Sequence, residues 1–392
     1  MSPSNPEKNQ PSKSVKPKAN SYPWYSPRIW HGMRMIAYLR LLARNNFAIH
    51  PLRIPMAFFA FLFSFFNSVM YFLQKLIYGQ RAKEAELKQP MVFILGHWRS
   101  GTTYLHELMS LDERFTSPTT IQCFAPCHFM LLGSFFSRWF GFLMPSQRPM
   151  DNMIMGWSRP QEDEFALCAL GIPSPYTRIA FPNRGNVNMQ YLDMQGLTED
   201  ELSTWKAGLD NFIRMITIQE NKPIILKSPT HTGRLKVLAE MYPDAKFIHI
   251  ARNPYEVYSS TLRLWHTMDE VQGLQITKKD FDYGPYVFEC MERMYEGHRE
   301  GEQHVSDDRI CRTSYEELVK DPVGEIQRIY QQLDLGDFEN IREPLEETVA
   351  QSKSYKPNQH SLDDVTREEV ETRWSFYFEK YGYEKESGQT SE

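Results

Sequence analysis

Cysteine is scarce in this chain, and N-glycosylation sequons are absent from it. The five cysteines among 392 residues are odd in number and scattered through apolar segments, so a disulfide framework is not predicted. Cys123 and Cys127 are spaced like a metal-binding pair, but only His128 lies close by as a further ligand, which favours buried thiols over a zinc site. No Asn-x-Ser/Thr sequence occurs, so nothing supports a glycosylated, secreted protein.

An overall excess of positive charge is also lacking. The formal net charge of −5 gives no indication of a nucleic-acid partner. The charge is uneven, however, because residues 1–53 carry nine basic residues and one acid, Glu7, for a net charge of +8. The basic residues are Lys8, Lys13, Lys16, Lys18, Arg28, Arg34, Arg40, Arg44 and Arg53.

The first 90 residues divide into a polar tail and a hydrophobic region. Residues 1–22 are rich in Pro, Ser, Lys and Asn and lack the apolar core of a signal peptide, so we expect a disordered basic tail. Residues 23–90 are both basic and hydrophobic, and residues 23–44 are expected to form an amphipathic helix. Residues 54–74 contain no charged side chain, and this run is long enough to span a bilayer.

Three interpretations fit residues 54–74. A transmembrane helix fits the length, although Pro55, Ser64, Asn67 and Ser68 interrupt the apolar run. An interfacial or re-entrant anchor fits the basic residues before the run and its aromatic content. A helix packed on the following domain or on a twin subunit also accounts for the composition.

From residue 91 onward the pattern is that of alternating strands and helices. Residues 91–95 form a short apolar run typical of a buried parallel strand, and residues 102–112 carry apolar residues at helical spacing. Residues 224–226 and 246–251 are further predicted strands, and each is followed by a predicted helix. This order predicts an α/β fold with a P-loop-like parallel sheet flanked by helices, preceded by a hydrophobic N-terminal helical region.

Helical patterns dominate the rest of this predicted domain, which extends from residue 91 to residue 392. Predicted helices follow the later strands at residues 234–242 and 255–268, and residues 197–220 are predicted to form another. The segment from residue 286 onward is expected to be helical. No internal repeat and no long linker interrupts the domain.

Residues 96–103 (GHWRSGTT) join the first predicted strand to the first predicted helix. Glycines at positions 96 and 101 permit tight turns, and the helix start presents free N–H groups at the positive end of the helix dipole. This arrangement predicts binding of a phosphate group. The glycine spacing is that of the Walker loop, but Thr102 occupies the position of the Walker lysine, and Arg99 lies inside the turn.

With its Arg-Ser-Gly-Thr-Thr sequence, this loop resembles the 5′-phosphosulfate loop of the sulfotransferase superfamily, in a bacterial-type branch related to tyrosylprotein and carbohydrate sulfotransferases. The resemblance covers residues 91–335 and implies 3′-phosphoadenosine-5′-phosphosulfate as co-substrate, with no metal. It implies that Arg99 contacts the bridging oxygen and the sulfonate, and that the loop backbone holds the 5′-phosphate. The implied donor-binding residues of the loop are Gly96, Arg99, Ser100, Gly101, Thr102 and Thr103.

A second motif lies at the end of the third predicted strand. Arg252 follows that strand, and Ser260 comes eight residues later in the next predicted helix. A guanidinium and a hydroxyl near a helix start suit a phosphate dianion. In the superfamily an Arg and a Ser at this spacing bind the 3′-phosphate of the donor, so the resemblance implies that role for Arg252 and Ser260. Residues 355–360 (YKPNQH) resemble the late basic loop that covers the nucleotide.

Sulfuryl transfer is an in-line displacement that needs a base for the acceptor's proton and cations around the sulfonate oxygens. Arg99 and Lys227, which follows the second predicted strand, are the candidate cations. The tyrosylprotein branch has an acid soon after the first helix, but residues 115–122 contain none.

Several residues compete for the role of general base. Glu162 and Glu164 open an apolar helix and are our first candidates, although acids in a first helical turn also complement the helix dipole. His231, four residues after Lys227, is a close rival. His97, inside the loop, is a third candidate whose more ordinary role is to orient the turn.

The acceptor is indicated only by composition. The Phe- and Met-rich residues 124–155 favour an apolar entrance to the acceptor site and hence an amphiphilic or lipid-like acceptor. A sugar or a peptide is also compatible with the composition. A membrane surface and a homodimeric partner are compatible with residues 23–80, and no nucleic acid is expected. Free thiols and the cytosolic origin of the donor predict a cytoplasmic catalytic domain associated with a membrane, although a luminal enzyme with a membrane anchor has the same layout.

Two other functions were weighed against sulfuryl transfer. A P-loop kinase or nucleotide hydrolase predicts Lys at position 102 and an Asp at the end of a later strand, but the chain has Thr102 and Arg252. A catalytically silent, membrane-anchored nucleotide-binding protein does not require the combination of Arg99, Lys227, Arg252 and Ser260. The sequence therefore favours a sulfotransferase.

Overall fold

The computed structural model of the chain describes residues 22–23, 25–148, 153–352 and 362–386. The predicted disordered tail lies outside the described residues except for its last position, Tyr22. The polar loop at residues 355–360 also lies outside them.

A parallel sheet forms the centre of the fold. Its strands are β1 (Val92–Leu95), β2 (Ile225–Lys227), β3 (Lys246–Ala251) and β4 (Ile310–Ser314). Their spatial order is β2-β1-β3-β4, and every neighbouring pair is parallel. The carboxyl ends of the strands therefore share one edge, which brings the residues after β1, β2 and β3 together. The predicted α/β architecture is confirmed.

The helices of the described residues surround this sheet. They are α1 (Met35–Arg44), α2 (Ile54–Glu84), α3 (Thr102–Met109), α4 (Thr120–Phe124), α5 (Phe129–Trp139), α6 (Asp163–Leu170), α7 (Glu199–Glu220), α8 (Leu235–Met241), α9 (Pro254–Gln272), α10 (Gly284–Glu302), α11 (Tyr315–Lys320), α12 (Pro322–Leu333), α13 (Glu339–Ser352), α14 (Asp364–Arg373) and α15 (Ser375–Tyr381). Short 3₁₀ helices occur at Ile29–Gly32, Pro51–Arg53, Gly141–Leu143, Pro175–Ala180, Pro182–Arg184, Met189–Tyr191, Pro229–Arg234 and Asp307–Arg309.

Both faces of the sheet are buried by helices. Alternate side chains of a strand point to opposite faces, so Phe93 packs with residues of α7 and α8, including Trp205, whereas Ile94 packs with residues of α3 and α12, including Ile329. Burial on both faces explains why the predicted strands are continuous apolar runs without polar alternation. The resulting three-layer core fixes the edge at which the loop of residues 96–103 lies.

Strand β4 was missed in the sequence, where the segment from residue 286 onward was expected to be helical. Its sequence Ile-Cys-Arg-Thr-Ser has few large apolar residues, and Arg312 is exposed. The strand lies at the edge of the sheet, where only one side pairs with a neighbour, so it does not need a long apolar run.

The N-terminal region forms two helices in place of the single helix predicted over residues 23–44. The 3₁₀ helix Ile29–Gly32 comes first, and α1 begins only at Met35. The extended backbone of Met33 and Arg34 separates the two helices, and the equally extended Arg28 starts the first of them, where its guanidinium donates hydrogen bonds to the carbonyl oxygens of Ser26 and Val271. The 31-residue α2 follows, with Pro55 in its first turn, where the missing N–H costs nothing.

Candidate active site

The loop between β1 and α3 makes two turns that require glycine. Gly96 and Gly101 have φ angles of 147° and 101°. A Cβ atom on Gly96 would lie 2.6 Å from the carbonyl oxygen of Ile250, and one on Gly101 would lie 2.5 Å from the Tyr315 ring. The loop therefore lies directly against β3 and the start of α11, and its shape depends on both glycines.

Arg99 adopts the left-handed conformation in the middle of this loop, with a φ of 71°. Such a conformation is uncommon for a residue with a long side chain and costs about 1–3 kcal/mol. The Ser100 hydroxyl and backbone N–H both donate to the carbonyl oxygen of His97 and hold the turn closed. His97 is buried, and burial lowers the pKa of its imidazole to about 4, so it acts as a neutral part of the loop.

The predicted 3′-phosphate residues lie beside Arg99. The Arg99 Nε donates to the Ser260 hydroxyl oxygen at 2.8 Å, and the Arg252 Nη1 donates to the carbonyl oxygen of Arg99 at 3.1 Å. The Arg252 guanidinium also lies over the Tyr315 ring, 4.2 Å from its centroid, and 3.6 Å from the Glu256 carboxylate. The fold thus brings Arg99, Arg252 and Ser260 into one contiguous basic site.

Lys227 and Glu162 form an ion pair next to this loop. The Lys227 ammonium donates to the Glu162 carboxylate at 2.8 Å and to the Thr103 hydroxyl at 3.4 Å. Only 2% of Lys227 and 6% of Glu162 are exposed. Burial lowers the pKa of Lys227, and the neighbouring Glu162 carboxylate partly opposes that shift.

The second oxygen of the Glu162 carboxylate is also occupied. The Tyr176 hydroxyl donates to it at 2.7 Å, and the Trp98 indole N–H donates to the Tyr176 oxygen at 2.7 Å. The carboxylate is therefore fixed between a cation and a phenol, in a chain of hydrogen bonds that returns to the loop at Trp98.

The neighbouring acids of the same segment are paired elsewhere. Asp163 lies 2.7 Å from the His231 Nε2, and Glu164 accepts hydrogen bonds from Arg234 and from the Thr230 hydroxyl. These partners follow β2, so the start of α6 is bound to that segment by three successive ion pairs.

The pKa values of these two acids follow from their partners. Burial alone would raise the pKa of Asp163, but His231 and the Ser228 hydroxyl outweigh burial and lower it. Burial likewise opposes the Arg234 guanidinium at Glu164, where the net pKa is again lowered. Both acids are fully buried and ionised within structural pairs, so of the predicted bases only Glu162 borders an open cavity.

Two adjoining cavities meet at this ion pair. The smaller, of about 450 Å³, is lined by loop residues including Arg99 and Thr102 and by Glu162 and Trp265. The larger, of about 700 Å³ including space open to solvent, is lined by apolar side chains such as Phe124 and Met155 and by about as many polar ones, including Lys227; we call it the apolar cleft after the first group. Thr103, Arg148, Phe165 and Met268 line both cavities. A reacting group can therefore contact the loop and the apolar cleft at once.

Sequence reasoning missed the side chains that orient Glu162. Tyr176 lies in a 3₁₀ helix with no periodic pattern, and Trp98 was considered only as part of the loop. The Arg148 Nη1, 3.4 Å from the Thr103 hydroxyl, is a further contact at this place. These contacts join segments far apart in sequence, so no local spacing could have revealed them.

Metal binding has no candidate among the described residues. Within residues 22–23, 25–148, 153–352 and 362–386, no group of three or more His, Cys, Asp or Glu side chains is arranged to hold an ion. Cys123 and Cys127 are buried and free, and burial raises the pKa of both thiols, to about 12 for Cys127.

Comparison with known proteins gives consistent results. Residues 90–340 match the model of the sulfotransferase family. The chain is 41% identical over 363 residues to the omega-hydroxy-beta-dihydromenaquinone-9 sulfotransferases Stf3 of Mycobacterium bovis and Mycobacterium tuberculosis, which covers 92% of this chain and 92% of each relative. Its fold is similar to that of sulfotransferase STF9 from Mycobacterium avium, with a TM-score of 0.66 and 16% identity over 90% of this chain and 97% of that one. It is also similar to STF1 from Mycobacterium tuberculosis, with a TM-score of 0.60 and 18% identity over 87% and 90% of the two chains.

Proposed function

The chain belongs to the sulfotransferase family, and from that premise we propose that it transfers a sulfuryl group from 3′-phosphoadenosine-5′-phosphosulfate to the hydroxyl of a lipid-like acceptor. The observation that carries this proposal is the Glu162–Lys227 ion pair, which lies between the phosphate-binding loop and the apolar cleft. A base and a cation at that junction suit transfer from a donor in the loop to an acceptor in the cleft.

The donor is held by the basic edge of the sheet. Backbone N–H groups of residues 96–103 and the hydroxyls of Thr102 and Thr103 suit the 5′-phosphate, and Arg252 and Ser260 suit the 3′-phosphate. Arg99 contacts Ser260 from within the loop and is the proposed cation for the bridging oxygen and the sulfonate. The glycine-dependent turns support this assignment, since a Cβ atom at position 96 or 101 would collide with β3 or Tyr315.

Glu162 is the general base in this proposal. It accepts the proton of the acceptor hydroxyl while the acceptor oxygen attacks sulfur. The new oxygen–sulfur bond forms as the bond from sulfur to the 5′-phosphate oxygen breaks, and that oxygen leaves with the electron pair. Lys227 and Arg148 supply positive charge beside Thr103, where negative charge builds up on the sulfonate and the leaving phosphate.

The acceptor class is inferred from the cleft and from the relatives. The cleft is lined on one side by apolar side chains, among them Ile29, Phe124 and Met155, and on the other by polar ones, among them Glu107 and Arg159. The relatives are named for a hydroxylated menaquinone, a molecule with a long apolar chain and a terminal hydroxyl. We expect this chain to accept a hydroxyl carried on a similar polyprenyl or quinone-type lipid.

The proposed catalytic unit comprises residues 91–392, preceded by the hydrophobic region 23–90. The free, buried cysteines support a reducing, cytoplasmic environment for this unit. Helix α2 is long and apolar enough to cross a membrane by length and composition, so region 23–90 is the proposed membrane-associated part of the chain.

An acceptor panel with radiolabelled donor tests the proposal. We expect label transfer to an ω-hydroxylated menaquinone and not to sugars or tyrosine peptides, in the presence of a metal chelator. A matched quinone without the terminal hydroxyl is the negative control. Transfer to a sugar or a peptide alone would overturn the lipid acceptor, and phosphate transfer from Mg²⁺–ATP would overturn the reaction class.

A further inference from the structure

Helix α2 has its polar residues on the inside and its apolar residues on the outside. The buried positions recur every three or four residues and include Ala57, Ala60, Ser64, Asn67 and Gln74. The outward stripe has the same spacing and consists of Ile54, Phe58, Phe65, Phe72 and Leu76. Phe72 is 66% exposed and Leu76 is 71% exposed, which reverses the usual orientation of a helix on a water-soluble protein.

The inward polar residues bind the rest of the protein. The Asn67 amide donates to the carbonyl oxygens of His31 and Met33, and the Met35 N–H donates to the Ser68 hydroxyl. Further along the helix, the Gln74 amide donates to the carbonyl oxygen of Pro126 and accepts from the N–H of Met130. The helix is thus attached to the N-terminal segment that holds the 3₁₀ helix Ile29–Gly32 and the start of α1 and, through Gln74, to the catalytic part, so it does not stand alone across a bilayer.

The surroundings of this outward stripe are basic. The sequence contains no Asp or Glu from residue 8 to residue 83. Arg40 and Arg44 on α1 and Lys75, Arg81 and Lys83 on the last turns of α2 are exposed. Glu84 closes α2 and is also exposed, but five cations against this one acid leave the two ends of the apolar surface net positive, which is complementary to anionic lipid head groups.

Helix α2 also lies directly behind the apolar cleft. The 3₁₀ helix Ile29–Gly32 packs on α2 and contributes Ile29 to the cleft lining. On the other side, ring contacts run from Phe66 through His128 to Phe136 on α5, next to the exposed Phe135 and Trp139.

We propose that the outward stripe of α2 lies in the plane of an anionic lipid bilayer, partly immersed, and brings the apolar cleft to the membrane surface. This inference rests on the proposed function in that the occupant of the cleft is a membrane lipid. The helix acts as an interfacial anchor and does not span the membrane. This orientation satisfies the polar inward face and covers the apolar outward face together, and the basic residues around the stripe favour a lipid surface as the cover.

Vesicle flotation of the full chain tests the docking surface without any activity measurement. We expect the protein to float with vesicles of phosphatidylcholine and phosphatidylglycerol and to bind pure phosphatidylcholine less. The triple variant Phe58→Gln, Phe65→Gln, Phe72→Gln should lose at least about 100-fold in partitioning. In the double variant Lys75→Gln, Arg81→Gln, partitioning onto anionic vesicles should fall about fivefold for each cation removed, and partitioning onto pure phosphatidylcholine should not change.

Matched variants separate this surface from general hydrophobicity. Val319→Gln with Val365→Gln removes exposed apolar side chains from α11 and α14 and should leave flotation unchanged. The triple variant should still transfer label to a short, water-soluble hydroxylated analogue, so failure of docking and failure of the proposed reaction give different results. Equal flotation of the triple variant and the unchanged protein would overturn the docking proposal.

Depth measurements separate an interfacial helix from a spanning one. The cysteines of the described residues are buried, so a fluorophore attached after Phe58→Cys or Leu76→Cys reports one position. We expect quenching by lipids labelled at different depths to give the same shallow depth for both. A spanning helix would separate them by up to about 27 Å in depth and overturn the proposal. A soluble dimer that the triple variant dissociates, with no vesicle binding, would also overturn it.

Discussion

Three consecutive acids with different partners dominate the chemistry at the residue scale. Glu162, Asp163 and Glu164 pair with Lys227, His231 and Arg234 respectively. Adjacent residues point in different directions, so only the first of these acids borders the cavities. Replacement of each acid therefore has a different consequence, although all three carry the same charge.

Glu162→Gln keeps the size of the side chain and removes the proposed base. We predict a fall in kcat of about 10²- to 10⁴-fold, because the acceptor proton has no partner in the transition state. Steady-state kinetics and binding of 3′-phosphoadenosine-5′-phosphate check this, and the nucleotide affinity should stay within a few-fold. Glu339→Gln, which removes an exposed carboxylate of α13, is the matched control, and a kcat of Glu162→Gln as high as that of this control would contradict the assignment.

Arg252→Ala removes the guanidinium assigned to the 3′-phosphate. We predict that 3′-phosphoadenosine-5′-phosphate binds about 10- to 100-fold more weakly, since hydrogen bonds to charged groups contribute about 1.5–3 kcal/mol each. Adenosine 5′-phosphosulfate, which lacks the 3′-phosphate, is the control ligand, and its affinity should fall little in the variant. Calorimetric titration measures both, and equal losses for the two ligands would refute the 3′-phosphate role.

The choice among the candidate bases could not be made from the sequence. Glu162, Glu164 and His231 were all candidates, because segment 160–165 and the residues after β2 are about 65 positions apart in sequence. Which acid faces the cavity depends on how α6 docks on the segment after β2, and that is a tertiary contact. The loop of residues 96–103 could be predicted from the sequence, since its turns and the start of the following helix are determined by neighbouring residues.

At the scale of elements, α6 is held to the segment after β2 by buried ion pairs. Glu164 and Arg234 are both fully buried, and Arg234 also donates to the carbonyl oxygen of Tyr191. Removing one partner of such a pair leaves an uncompensated buried charge. The same contact positions Glu162, two residues away, so the stability of this element and the geometry of the site are linked.

Glu164→Gln tests that link through stability. We predict a loss of about 3–5 kcal/mol in the free energy of unfolding at neutral pH, because the Arg234 charge is no longer balanced. The pKa of Glu164 is lowered in the folded state, so its contribution is present above the ordinary value of 4.5 and is lost as pH falls through the folded value. Denaturant unfolding at several pH values should therefore show that the free energy of unfolding falls less steeply with decreasing pH in the variant than in the unchanged protein.

A free energy of unfolding that falls more steeply with decreasing pH in Glu164→Gln than in the unchanged protein would contradict this prediction. Glu339→Gln is a suitable control, because its partner Arg342 lies with it on the exposed part of α13. Surface pairs of that kind contribute little, so the control should change unfolding by less than about 1 kcal/mol.

Element by element, the strands flanked by helices were predictable and the edge strand was not. Strands β1 and β3 are apolar runs buried on both faces, and α7 matches the predicted helix at residues 197–220. Strand β4 contains the exposed Arg312 and is stabilised by backbone pairing with β3, which a local sequence pattern does not reveal. Helix α2 was predicted as an apolar helix, but the side it turns to the protein is set by hydrogen bonds from Asn67 and Gln74.

At the scale of the whole molecule, the sheet order β2-β1-β3-β4 explains why distant motifs form one site. Strand β1 lies between β2 and β3, so the loop after β1 has Lys227 on one side and Arg252 on the other. The apolar cleft and α2 lie beyond Lys227, toward the N-terminal region. The proposed donor site, base, acceptor cleft and membrane surface are thus arranged in sequence across the molecule.

The central claim is tested most directly by product stoichiometry in a single turnover. Enzyme in excess over donor is mixed with the ω-hydroxylated quinone, and both products are quantified by mass spectrometry. We predict that, without added metal, one molecule of 3′-phosphoadenosine-5′-phosphate forms for each quinone that gains one SO₃ group. With Glu162→Gln, both products should form much more slowly than with the unchanged protein. Release of free sulfate with an unmodified quinone, at a rate independent of the quinone, would contradict the account.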